Sequence, residues 1–150
     1  METMAPILAA HPFFKGMDSR YLKILLECAS RETFKPGEYL CRAEGEATKF
    51  YVIYHGRVSV EIYRTRRGPV TVQSLGETEV LGPLFDTRYH WRFDAKALEL
   101  TRVISLDVQC LHQRCDQDHD FGYELMRRYA HHLAVQFWMT KMQLADMYGN

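Results

Sequence analysis

The spacing of hydrophobic and polar residues changes twice along the chain. From residue 31 to residue 107, short runs of β-branched and aromatic residues are separated by glycine-containing turns, which is typical of a β-sandwich or barrel. On both sides of this region the apolar residues recur at helical spacing. The pattern predicts a single domain over residues 1–150, with a helical lead at 1–30, a β-barrel at 31–107 and C-terminal helices at 108–150.

Two segments give the clearest local predictions. Asp18 or Ser19 is suited to cap a helix. The apolar residues of that helix are Tyr21, Leu22, Leu25, Leu26 and Ala29. Segment 57–63 alternates strictly and predicts a strand with one face in water. Its expected apolar face is Val58, Val60 and Ile62, and its expected wet face is Arg57, Ser59, Glu61 and Tyr63.

Segment 121–148 predicts a long helix whose apolar surface is too wide for a single contact. We therefore expect one flank to lie on the barrel and the other on a partner helix. A parallel homodimer is the simplest arrangement, because one patch then serves both chains. The predicted dimer residues are Met126, Tyr129, Leu133, Phe137, Trp138 and Leu144.

Charge and hydropathy limit where in the cell the protein is expected and which classes of partner it is expected to bind. Lysine plus arginine and aspartate plus glutamate both number 19, so no net charge attracts nucleic acid or an anionic membrane. No segment approaches the roughly 20 apolar residues of a membrane span. Residues 1–10 also lack the basic and then apolar pattern of a secretion signal. We therefore expect a cytoplasmic protein that has no membrane partner.

The order of these signals resembles the cyclic nucleotide-binding domains of the CRP/FNR regulators. The resembling segments are 11–14 with the helix after it, 34–40, Gly45 before 50–60, 75–76, 80–82 and the long terminal helix. The most specific elements are Pro36-Gly37 and Gly56, at tight connections where a positive φ is plausible. The resemblance implies an α+β, mainly β fold, namely a double-stranded β-helix (jelly-roll) barrel with a short N-terminal helix and a long C-terminal dimerisation helix.

The resemblance also implies a ligand pocket, in which a cassette between two strands holds the cyclic phosphate. The family's cassette begins with Gly-Glu and ends with Pro-Arg, so that an arginine neutralises the phosphate. Gly82 matches the glycine, but Pro83 stands in place of the glutamate and Trp91 in place of the arginine. The resemblance thus implies a degenerate cassette at Gly82, Pro83, Leu84, Arg88, Trp91 and Arg92.

The direction of the Trp91 side chain decides whether this pocket can work. Strand alternation places four residues on one face, Trp91, Phe93, Ala95 and Ala97. If the alanines face the core, the indole does too, and it fills part of the cavity that a nucleotide needs. In the alternative hypothesis, Arg88 or Arg92 supplies the missing cation, and the cassette still binds a cyclic nucleotide.

The cysteines raise a third hypothesis, a thiol or metal redox sensor. Cys28, Cys41, Cys110 and Cys115 lack regular spacing, so we expect free thiols and not a disulfide framework. Segment 110–120 is rich in potential metal ligands, which are Cys110, His112, Cys115, Asp116, Asp118, His119 and Asp120. However, Cys110 and Cys115 do not share one face of a short helix. We therefore favour plain thiols over a metal site.

The functional prediction is a non-catalytic regulatory or accessory module that acts through protein contact. No nucleophile-and-base pattern or phosphate-binding loop stands in a suitable context, so we expect no enzyme. The sequence ends where the family's transcription factors continue into a helix-turn-helix, so we expect no direct DNA binding. Family analogy suggests an accessory subunit of a cytoplasmic redox complex, such as an NAD-reducing hydrogenase. The alternative is a cyclic nucleotide (cAMP-type) sensor, and no other cofactor is expected.

Overall fold

The computed structural model describes residues 4–85 and 89–149, so Arg88 lies outside the described residues. The helices are α1 (Met4–Ala10), α2 (Ser19–Glu27), α3 (Val108–Gln117) and α4 (His119–Tyr148). The strands are β1 (Ala29–Phe34), β2 (Tyr39–Cys41), β3 (Lys49–His55), β4 (Val58–Arg64), β5 (Gly68–Leu75), β6 (Val80–Leu81), β7 (Asp94–Ala97) and β8 (Thr101–Asp107). Among the described residues, no helix is long and apolar enough to cross a membrane.

The strands form two antiparallel four-stranded sheets, in the orders β1-β8-β3-β6 and β2-β7-β4-β5. This arrangement confirms the predicted jelly-roll. β3 is buried on both faces because its alternate residues enter two different cores. Tyr51 and Ile53 pack between the sheets, whereas Phe50 and Val52 pack under the helices.

The helical lead contains the predicted helix and one that was not predicted. α2 begins after Asp18, whose carboxylate accepts from the Arg20 N–H at 2.8 Å, which confirms the predicted cap. α1 was missed because its seven residues carry no acidic side chain in the first turn and no basic one in the last. It is held by Leu8, which is fully buried in the core under the helices.

His11 connects the lead to the barrel. Its Nε2–H donates to the Ile53 carbonyl at 3.1 Å, and its Nδ1 accepts from the Phe13 N–H at 3.2 Å. Burial lowers the pKa of His11, which favours the neutral ring that this pair of hydrogen bonds requires. Arg128 of α4 donates to the carbonyls of Phe13 and Lys15, so the same segment also anchors the long helix.

The prediction for the 57–63 strand was wrong about its two faces. Ser59 and Glu61 are buried, at 1% and 9% exposure, whereas Ile62 is 42% exposed. Within β4, only residues Val58–Glu61 pair with β7, so Ile62 lies beyond the end of that neighbouring strand. The buried polar residues satisfy one another, because the Ser59 hydroxyl donates to Glu61 at 3.3 Å and lies 3.1 Å from the Thr71 hydroxyl.

The expectation of four free thiols was also wrong. Cys28 and Cys110 form a disulfide, with their Cα atoms 5.7 Å apart, and only Cys41 and Cys115 remain free. Cys28 directly precedes β1, which pairs with β8 in the register Ala29 to Leu106. That pairing brings Cys28 beside the start of α3, although the two cysteines are 82 residues apart in sequence.

Two tight connections require glycine, as predicted. Gly37 has φ +89° and Gly56 has φ +102°, a region that residues with a Cβ rarely adopt. A Cβ on Gly56 would lie 2.6 Å from the Leu100 carbonyl oxygen, so close approach also excludes a side chain there. These turns fix the connections between β1 and β2 and between β3 and β4.

Candidate ligand pocket and helix surface

The turn after β6 packs directly on the side chain of Trp91. Gly82 has φ +122°, and a Cβ at this position would lie 2.9 Å from the Lys49 carbonyl oxygen and 3.1 Å from the indole. No room for an additional group exists between this glycine and the ring. The turn therefore depends both on glycine and on the aromatic ring that it touches.

Trp91 is fixed in the core between the sheets, at 4% exposure. Its ring stacks on Tyr51 with centroids 6.3 Å apart, and it meets Phe93 edge-on at 5.7 Å. The main-chain N–H of Trp91 donates to the Gly45 carbonyl at 2.9 Å, and its main-chain carbonyl accepts from the Glu44 N–H at 2.7 Å. The prediction of a core-facing indole is confirmed, and the neighbouring Ala95 and Ala97 are buried as well.

Two helices hold the turn at residues 82–84 through its carbonyl groups. The Tyr129 hydroxyl of α4 donates to the Gly82 carbonyl at 3.0 Å, and Nε2–H of His112 in α3 donates to the Leu84 carbonyl at 2.7 Å. Burial raises the pKa of Tyr129, which keeps its hydroxyl protonated and able to donate. The position of this turn is thus set by α3 and α4.

A cavity of about 550 Å³ opens beside this turn. Its lining in the described part of the chain is Gly82, Pro83, Leu84, Phe85, Tyr89, Phe93, Tyr129 and Leu133. None of these side chains is charged, so this lining offers no cation to a phosphate. Apolar and aromatic walls with a few polar atoms suit a flat, neutral ring.

The structure brings some of the predicted pocket residues together and separates others. Gly82 contacts Trp91, and Gly82, Pro83 and Leu84 all line the cavity. Arg92 is exposed, next to a Trp91 that points into the core. Sequence reasoning missed His112 as a residue that holds the turn, because a hydrogen bond between residues 112 and 84 leaves no periodic signal.

Tyr129 was assigned to the dimer, and in the structure it contacts the barrel. It is half-buried, and it lies against the barrel with its ring 6.0 Å from that of Phe50. Its apolar spacing matched the expected dimer flank, but helical periodicity alone does not say which flank meets the barrel. Leu133 lines the cavity as well as being exposed.

The outer part of α4 presents a large apolar surface. We call it the α4 surface and define it as Tyr123, Met126, Leu133, Val135, Phe137, Trp138, Met139, Met142, Leu144, Met147 and Tyr148, all of which are exposed. Trp138 alone is 62% exposed. A helix that exposes this many large apolar side chains is typical of an interaction site, because water contact with them is unfavourable.

The potential metal ligands of segment 110–120 do not converge. Among residues 4–85 and 89–149, no group of three or more His, Cys, Asp or Glu is placed to hold a metal ion. Cys110 is bonded to Cys28, and burial raises the pKa of Cys115, which disfavours its thiolate. The metal form of the third hypothesis therefore finds no support in this part of the chain.

Comparison with protein families gives a match over most of the barrel. The model of the cyclic nucleotide-binding domain family matches residues 31–118, which is more than half of the chain. No curated protein shows significant sequence similarity to the chain. The match includes the turn at Gly82, the buried Trp91 and all of α3.

Comparison with solved structures gives many similar folds. A cyclic nucleotide-binding domain from Methylobacillus flagellatus has a TM-score of 0.82 at 16% identity, over 97% of this chain and 83% of that chain. The regulatory subunit of a cAMP-independent protein kinase A from Trypanosoma cruzi, bound to guanosine, has a TM-score of 0.65 at 28% identity. That match covers 82% of this chain and 48% of the kinase subunit.

Proposed function

The chain belongs to the cyclic nucleotide-binding domain family, and we propose that it is a non-catalytic regulatory module that has lost its dependence on a cyclic nucleotide. In this proposal it acts through contact with other protein chains. The barrel supplies a rigid scaffold, and the helices supply the contact surface. The described lining of the pocket is shaped by packing and carries no charged side chain.

The buried Trp91 is the observation that carries this proposal. The indole lies in van der Waals reach of Gly82, where the resemblance expects an arginine to meet the phosphate. Exposing an aromatic side chain of this size costs about 4 kcal/mol at 25 cal/mol per Å². That cost lowers affinity roughly a thousandfold, before the cost of burying a phosphate without a cation.

The α4 surface supports the contact with other chains. A second copy of the chain can cover it by a parallel packing of the two helices, so that one patch serves both protomers. We extend the proposal to an accessory role in a cytoplasmic redox complex, such as an NAD-reducing hydrogenase. This extension rests on analogy with free-standing modules of the family.

A second candidate function is the binding of a nucleoside that has no phosphate. It is favoured by the cavity of about 550 Å³, whose described lining is aromatic, apolar and uncharged. The Trypanosoma cruzi subunit, which is described as cAMP-independent, holds guanosine in its structure. A neutral nucleoside needs no cation, so the loss of the arginine does not penalise it.

Calorimetric titration separates these functions. We expect no saturable heat with cAMP or cGMP, because the indole occupies the phosphate position. Saturable binding of either nucleotide at micromolar concentration would contradict the proposal and support a cyclic nucleotide sensor. Guanosine is titrated in parallel, and Phe93→Ala serves as the matched variant because Phe93 lines the cavity. Binding of guanosine that is lost in Phe93→Ala would establish the second candidate.

A further inference from the structure

The disulfide between Cys28 and Cys110 joins the lead to the helix that holds the pocket turn. Cys28 caps the end of α2, and Cys110 lies in the first turn of α3. The junction is also held by the Asp107 N–H, which donates to the Cys28 carbonyl at 2.9 Å, and by the core that Leu25 and Leu111 share. Two ion pairs lie at the surface, Arg114 with Glu27 and Arg20 with the α3 cap Asp118. Exposed ion pairs contribute little, so the disulfide is the strongest side-chain bond at this junction.

α3 transmits its position directly to the pocket. His112 follows Cys110 by two residues and donates to the Leu84 carbonyl at 2.7 Å. Its ring also lies 5.8 Å from that of Phe85, the next residue of the turn. α3 packs closely on α4 as well, because a Cβ on Gly122 would lie 3.1 Å from Cβ of Cys115. A movement of α3 therefore changes the environment of the turn.

We propose that Cys28 and Cys110 form a reversible redox site that controls the contact between α3 and the turn at residues 82–85. The proposal deepens the regulatory function above, because it supplies a signal for the same pocket. The reductant is a thiol compound that supplies two thiols, either one dithiol or two molecules of glutathione. One of its thiolates attacks Sγ of Cys110, the S–S bond breaks, and Cys28 leaves as a thiolate that takes up a proton.

A second thiol–disulfide exchange completes the reduction. The second thiol of the reductant attacks the mixed disulfide and releases Cys110, which is protonated in turn. The reductant ends as a disulfide, and the protein has gained two electrons and two protons. Cys110 is the point of entry because it is half-buried, whereas Cys28 is buried in the core under the helices.

The other cysteines distinguish this site from a disulfide framework. Cys41 and Cys115 are free, and both are packed in or against a core. Small secreted domains that rely on disulfides for folding use their cysteines densely and in pairs, unlike this chain. After reduction, two thiols need more space than two bonded sulfur atoms. Because Cys28 is buried, that space comes from α3, which loosens the bond from His112 to Leu84.

Thiol counting and hydrogen exchange test the proposal. The protein is equilibrated in glutathione buffers of graded redox potential, then denatured and alkylated. We expect two of the four cysteines to react after oxidising buffers and all four after reducing ones. In the native protein, reduction is expected to speed amide exchange about tenfold in α3 and in residues 80–85, while β4 and β5 remain unchanged.

Three variants locate the effect. Cys28→Ser should exchange at the fast rate in every buffer, whereas Cys115→Ser should keep the redox response. In His112→Ala, reduction should still affect α3 but no longer residues 80–85. A pair that stays oxidised in every glutathione buffer, or a reduction that leaves exchange unchanged, would overturn the proposal. No readout uses a nucleotide, so this failure is distinguishable from a failure of the proposed function.

Discussion

Replacement of Trp91 by alanine is expected to lower the free energy of unfolding by about 3 to 5 kcal/mol. The indole is in contact with the Gly82 turn and packs on Tyr51 and Phe93, so its removal leaves a cavity between the sheets. The surrounding main chain cannot easily move into that space, because the main-chain groups of residue 91 stay hydrogen-bonded to Glu44 and Gly45. Urea denaturation of the two proteins measures the difference.

An exposed aromatic residue provides the control for this substitution. Tyr63 is 71% exposed near the end of β4 and lies outside the α4 surface. Tyr63→Ala should change the free energy of unfolding by no more than about 0.5 kcal/mol. Equal losses for the two variants would show that Trp91 has no special part in the core.

A charge in the α4 surface should separate the proposed dimer. Trp138 is a large, exposed aromatic residue of the kind that dominates protein interfaces. In Trp138→Glu the carboxylate would have to lose its water in the interface, so we expect the dissociation constant to rise about a hundredfold or more. Sedimentation velocity over a concentration series measures this change directly.

The same substitution at a site away from α4 serves as the control. Thr65 is exposed in the turn between β4 and β5 and lies outside the α4 surface. Thr65→Glu should therefore remain a dimer. A monomeric wild-type protein, or equal behaviour of the two variants, would contradict this use of the α4 surface.

Local patterns in the sequence were sufficient for the architecture. Glycines such as Gly56 mark tight connections with a positive φ, and Asp18 marks the start of α2. The alternation through Ala95 and Ala97 also placed the Trp91 ring in the core. These features depend on neighbours within a few residues, so the sequence alone reveals them.

Features that depend on distant pairing could not be predicted in this way. The disulfide exists because β1 pairs with β8, which brings Cys28 beside Cys110. The burial of Ser59 depends on a polar partner from another strand, the Thr71 hydroxyl of β5. Likewise, Tyr129 reaches the pocket because of the way α4 lies on the barrel. Helical periodicity does not reveal how a helix is placed.

The most direct measurement is the position of the Trp91 ring in crystals grown with millimolar cAMP. We expect the ring to stay stacked on Tyr51, with the centroids near the present 6.3 Å, and the pocket to contain no nucleotide. A ring turned outward, with a cyclic phosphate in its place and Arg88 or Arg92 bound to it, would contradict the loss of nucleotide dependence.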